Sequence, residues 1–131
     1  MKFKIQYFHD IMFITEESFR FCNKTFLFYP SFCGAGKGIG DKIIPEKMYG
    51  LKVSPACHIH DDMWDKASDT FFEFMLTNMI FIFNIWMIII HSKGNKFIKM
   101  LRCLRAVTYF TGVFIFGRSV FKKLKKDQYN A

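Results

Sequence analysis

Apolar and polar positions change their spacing several times along the chain, and each change marks an element. KFKIQYF and FRFCNKTFLFY, within residues 1–30, alternate aromatic and polar side chains loosely, which predicts short strands, with Glu16 and Glu17 suggesting a short helix or turn between them. DKIIPEKMYGLKV reads as an irregular connector with a turn at Tyr49-Gly50. At SPACHIHDDMW the period becomes helical. Ser54 offers an N-cap oxygen and Pro55 suits the first helical position. On that helix Cys57, His60 and Trp64 share one face, and Asp61 lies about 100° further round.

The stretch FFEFMLTNMIFIFNIWMIII, residues 71–90, is long enough to cross a bilayer. Glu73, Thr77, Asn78 and Asn84 interrupt it, so both a buried or half-buried helix and a membrane-inserted one fit the pattern. HSKGNK breaks the run, with Gly94 ending the helix. Helical spacing resumes at Phe97, placing Ile98, Leu101, Leu104 (or Arg105) and Thr108 near one face and turning Lys99, Arg102 and others outward. Gly112 and Gly117 weaken that helix, and the closing KKLKKDQYNA predicts a frayed, solvated tail over residues 122–131.

Composition adds two constraints. A chain of 131 residues, 51% hydrophobic and 19% aromatic, is one domain with ample material for a core. The net charge of +8 is uneven, because no acidic residue occurs between Glu73 and Asp127 while lysine and arginine recur throughout. Such a basic half attracts anionic surfaces, whether lipid headgroups or nucleic acid, and is equally what a solvated basic face looks like. The start MKFKIQYFHD is basic, but His9 and Asp10 cut its apolar run short, so export by a signal peptide is not expected.

Candidate chemistry sits in two segments. FCGAGKGIG, residues 32–40, is not a phosphate cradle: Lys37 is followed by Gly38 where a P-loop needs Ser or Thr, and Ile39 stands where the dinucleotide pattern needs glycine. Gly34, Gly36, Gly38 and Gly40 instead permit a backbone that turns successive carbonyls inward. Calcium takes oxygen ligands, and carbonyls with a carboxylate and water are an ordinary set for it. Adjacent His60 and Asp61 divide the remaining work, one serving the proton and the other the metal. His9-Asp10 repeats the dipeptide with no glycine loop before it and reads as structural. Zinc finds no four-ligand cluster among Cys33, Cys57, His58 and His60, since residues two apart on a helix diverge.

FCGAG followed by CHIHD resembles the two signatures of the secreted phospholipase A2 superfamily, a Cys-Gly-x-Gly calcium loop and a Cys-x-x-His-Asp helix. IPEKMYGLKVSPACHIHDDMW and RAVTYFTGVFIFG are similar to its small bacteriophage and bacterial members, and the match covers residues 30 to 120 in patches. The resemblance implies a mainly α fold: a calcium loop, an antiparallel pair formed by the catalytic helix and the long apolar helix, and a basic C-terminal helix. It assigns calcium to the carbonyls of Phe32, Gly34 and Gly36 and to the Asp61 carboxylate. His60 becomes the general base, and Gly34 supplies an oxyanion amide. Asp69, in SDTFF, becomes the group orienting the imidazole, with Glu73 or Asn78 able to substitute. Cys33 and Cys57 fall where the superfamily places a disulfide between loop and helix, while Cys22 and Cys103 are left as buried or free thiols. Trp64 departs from the family's usual Tyr; an indole donates a hydrogen bond but cannot accept one. The implied activity is calcium-dependent hydrolysis of a glycerophospholipid acyl ester at a phospholipid surface, preferably anionic, with no nucleic-acid or protein partner. The alternative is a catalytically degenerate phage or structural protein that acts at membranes.

Overall fold

The computed structural model describes residues 1–22, 29, 47–48 and 51–130. Among these, two antiparallel hairpins precede three helices: β1 (Phe3–Phe8), β2 (Ile11–Glu16), β3 (Lys47–Met48), β4 (Leu51–Lys52), α1 (Ser54–Lys66), α2 (Phe71–His91) and α3 (Lys96–Tyr129). The protein is thus mainly helical with small antiparallel sheets.

The first hairpin turns at His9-Asp10, where both residues have positive φ (50° and 65°) and Phe8 pairs with Ile11. Two consecutive left-handed residues give the tight turn whose twist suits antiparallel strands, and Asp tolerates that conformation. The dipeptide is structural, and the strand-to-strand turn lies there; the turn at Glu17 follows β2. Strand β2 directs Ile11, Phe13 and Thr15 inward, as the two-residue period requires. Its edge is closed by a helix: Asn84 of α2 accepts from the Ile14 amide and donates to the Ile14 carbonyl, each at 2.9 Å. One side-chain amide therefore satisfies the donor and the acceptor that an edge strand would otherwise leave unpaired.

Helix α1 begins on Val53 with no side-chain cap, so the N-cap expected of Ser54 does not form; Ser54 is already helical and buried. Pro55 occupies the first turn, where its missing N–H has no consequence. Thr70 caps α2 through Glu73 N at 3.2 Å, and Asn95 caps α3 through Ile98 N at 2.9 Å. Gly94 takes φ +136° between the last two helices. The Arg102 guanidinium closes that turn by donating to Ser92 Oγ (3.2 Å) and the Lys93 carbonyl (3.1 Å).

The core lies where α1, α2, α3 and β2 meet. Val53, Ala56, Ile59 and Met63 pack with Phe13, Phe81, Ile85 and Ile89 and with Ala106, Tyr109 and Val113. Each such Ile or Phe contributes about 1.5–3 kcal/mol relative to exposure. A second cluster, Ala67, Phe74 and Phe121, joins the far ends of the three helices.

Two expectations for α3 change. Its buried stripe runs through Arg102, Ala106, Tyr109, Val113, Gly117, Phe121 and Lys125, so Arg102 faces inward while Leu104 and Thr108 face solvent. Nor do residues 122–129 fray: the helix continues to Tyr129. Lys125 Nζ donates to the Asp65 carbonyl at 3.1 Å, and Gln128 Nε2 reaches the same carbonyl (3.1 Å) and Asp65 Oδ1 (2.9 Å). The Lys125 ammonium also lies over the Phe121 ring, 5.5 Å from its centroid, so a residue that reads as solvated is the clasp between α3 and the end of α1.

Candidate functional site

Helix α1 carries the site because its inward face packs on α2. Cys57 and His60 are buried on that face and Trp64 is partly buried. His60 is 6% exposed, and its Nε2 lies 2.7 Å from Oδ1 of Asn78, which is fully buried on α2. With Oδ1 as acceptor, the ring proton sits on Nε2 and the lone pair on Nδ1. A neutral partner can hold this tautomer but adds no charge to favour the imidazolium. Burial dominates and pulls the His60 pKa down to about 4, against a smaller upward push from the Asn78 hydrogen bond. The ring is walled by Phe81 at 4.5 Å and Trp64 at 4.7 Å between centroids.

Trp64 is a packing residue here. Its indole contacts Phe74 and Phe121, its Nε1 has no hydrogen-bond partner among the described residues, and Gly117 of α3 sits against its edge.

Asp61 points away from this face, as the 100° step requires, and is exposed. No hydrogen bond or ion pair to a described residue holds it. The protein gathered around the carboxylate nonetheless pushes its pKa up to about 7. Water at the exposed face tempers that shift, and its direction marks a carboxylate short of positive partners. Among the described residues no group of three His, Cys, Asp or Glu side chains could hold a metal. Phe32, Gly34 and Gly36, the carbonyl ligands expected from sequence, lie outside the described residues, as does Cys33. Cys57 is disulfide-bonded, whereas Cys22 and Cys103 are free thiols.

Asp69 does not orient the imidazole. It is exposed in the short link between α1 and α2, and Asn78, two turns into α2, occupies the position against His60. A residue only nine places beyond His60 cannot turn the corner and reach back down the helix, whereas Asn78 lies level with it. Glu73 is engaged elsewhere, accepting from the Ser68 amide and from Ser68 Oγ.

Two side-chain groups escaped the sequence pattern. Glu16, at the end of β2, accepts from Ser18 N (2.9 Å) and Ser18 Oγ (2.5 Å) and pairs with Lys66 Nζ (2.9 Å), which also meets Asp62 at 3.0 Å. The Lys66 hydrogen bond, followed by that from Ser18, holds the Glu16 carboxyl down at about 2. On the outer side of α1, His58 Nδ1 lies 2.5 Å from Tyr29 Oη and 3.9 Å from Cys22 Sγ, and burial lowers its pKa. Both groups join residues remote in sequence, for which spacing gives no signal. Asn78 and Asn84 did have one: amides within an apolar helix must find buried partners.

No protein-family model, no curated protein and no solved structure matches the chain.

Proposed function

We propose that the protein is a calcium-dependent phospholipase A2-like hydrolase that cleaves a glycerophospholipid acyl ester at a membrane surface. The observation that carries the reading is the hydrogen bond between His60 and the buried Asn78 of α2, with the Asp61 carboxylate next to it in sequence turned to the outer side of the same helix. In this reading His60 Nδ1 takes a proton from water as the water oxygen attacks the ester carbonyl, and then gives it to the departing glycerol oxygen. Asn78 holds the proton on the other ring nitrogen, and so leaves the lone pair on Nδ1. Calcium held by Asp61 and the glycine-loop carbonyls would polarise the ester carbonyl. Phosphatidylglycerol vesicles should release fatty acid with calcium present. Chelation, His60→Gln and Asp61→Asn should each reduce release by at least about two orders of magnitude, and activity that survives chelation or His60→Gln overturns the proposal.

A second reading, a degenerate member acting at membranes without hydrolysis, is favoured by one observation: a neutral amide stands behind a nearly enclosed imidazole whose pKa is about 4. Vesicle binding without fatty-acid release at any calcium concentration would select it.

A further inference from the structure

Helix α3 is apolar on two opposite sides. While Ala106, Tyr109 and Val113 face the core, Phe97 (61% exposed), Met100, Leu104 (59%), Val107, Ile115 (60%) and Val120 face water. On an ideal helix the first four of these outward residues fall within an arc of about 80°, roughly opposite the buried stripe. Ile115 returns to the same arc, so the outward row from Phe97 to Ile115 is roughly 27 Å long at the rise of a helix, and Val120 lies on another side. No charged residue occurs between Arg105 and Arg118, while Lys96 and Lys99 precede that span and Lys122, Lys123 and Lys126 follow it. α2 adds Phe72, Met79, Trp86 and Ile90, all exposed.

With the helix lying along the surface, the apolar row can sink among the acyl chains while Lys96, Lys122, Lys123 and Lys126 towards its ends and Arg105 at its side stay at phosphate depth, as an anionic lipid surface would favour. The orientation follows from Asn84. Near the middle of α2 it is bonded to both backbone groups of Ile14, and the hairpin fixed there carries Lys4, Gln6 and Glu16. Were α2 to cross a bilayer, that hairpin would be dragged into hydrocarbon with its charges. The helix pair can offer the membrane only its outer side.

We infer that the outward face of α3 is a lipid-docking surface that lies flat in the interface of an anionic membrane, with the α2–α3 pair parallel to the bilayer and not spanning it. This deepens the membrane-surface part of the proposed function and uses none of its His60 chemistry.

The test is co-sedimentation of the full chain with vesicles of phosphatidylglycerol and phosphatidylcholine, in parallel with His60→Gln, which separates docking from hydrolysis. Wild type and His60→Gln should bind equally, and should bind anionic vesicles at least about tenfold more tightly than pure phosphatidylcholine at low salt. Leu104→Asp and, separately, Ile115→Asp, both at exposed positions, should weaken binding at least about tenfold while the helical circular dichroism is unchanged. Leu104→Trp, with Trp64 and Trp86 replaced by Phe, should be quenched by lipids brominated near the headgroup and not by those brominated at the chain ends. Unchanged binding of both aspartate variants overturns the inference, as does quenching at the bilayer centre. So does an aspartate-sensitive dimer in lipid-free buffer with no vesicle binding, which would assign the face to a second copy of the chain. If hydrolysis fails while docking behaves as stated, only the catalytic reading falls.

Discussion

Asn78 decides how strong a base His60 can be. An amide fixes the tautomer but leaves the imidazolium without a counter-charge, so Asn78→Asp should raise the His60 pKa by about one unit or more, read by NMR titration of the ring protons. On the catalytic reading fatty-acid release should then increase near neutral pH; a rise in pKa without any release would favour the degenerate one. Burial of neutral His60 also sets a pH dependence of stability. Between an unfolded pKa of 6.5 and a folded value of about 4, the unfolded chain binds the extra proton. The contribution is therefore complete above pH 6.5 and is lost as pH falls towards 4, a change on the order of 3 kcal/mol. His60→Gln should flatten urea midpoints across that window, leaving the fall below pH 4.5 that belongs to Glu16 and its Lys66 partner. The adjacency of His60 and Asp61, and their divergence round the helix, were legible in the sequence because helical geometry alone fixes them. The Asn78 contact was legible only as one option among three, since choosing between residues 69, 73 and 78 needs the length of the link between helices.

The helices show where reading by period succeeds and where it cannot. α1 and α2 lie where their apolar spacing and punctuation place them, and Gly94 marks the break between α2 and α3. The face of α3 was misassigned through Leu104 and Arg102 for a physical reason: with apolar residues on both sides, spacing cannot say which side meets the core. The lysine-rich end reads as solvated because sequence does not show which ammonium groups find partners, and that of Lys125 finds the Asp65 carbonyl, Gln128 and the Phe121 ring. Gly117, a weak point in an isolated helix, is instead where α3 comes close enough for the Trp64 ring. A Cβ there would stand 2.9 Å from Trp64 Cη2. Gly117→Ala gains roughly 1 kcal/mol in helix propensity and incurs about 1–3 kcal/mol of overpacking. Its urea midpoint should fall, and the Trp64 emission should change with it.

At the scale of the molecule, one side is a packed layer of α1 and the first hairpin, and the other is the bare back of the α2–α3 pair. That division gives the membrane-length run of residues 71–90 two faces: one stripe supplies the core and the other is left outside. It also accounts for a net positive charge gathered on the helical half, beside the surface that would meet phosphate. The sequence pattern left buried and inserted helices as alternatives because its two buried amides looked like interruptions; their partners, Ile14 and His60, are what turn them into anchors.

The bond between Asn84 and Ile14 joins residues seventy positions apart. During synthesis the opening hairpin leaves the ribosome long before the amide that seals its edge has been made. Its strands must either wait unformed or expose an unsealed margin to other nascent chains, and low temperature or slow dilution during refolding should improve recovery for the same reason.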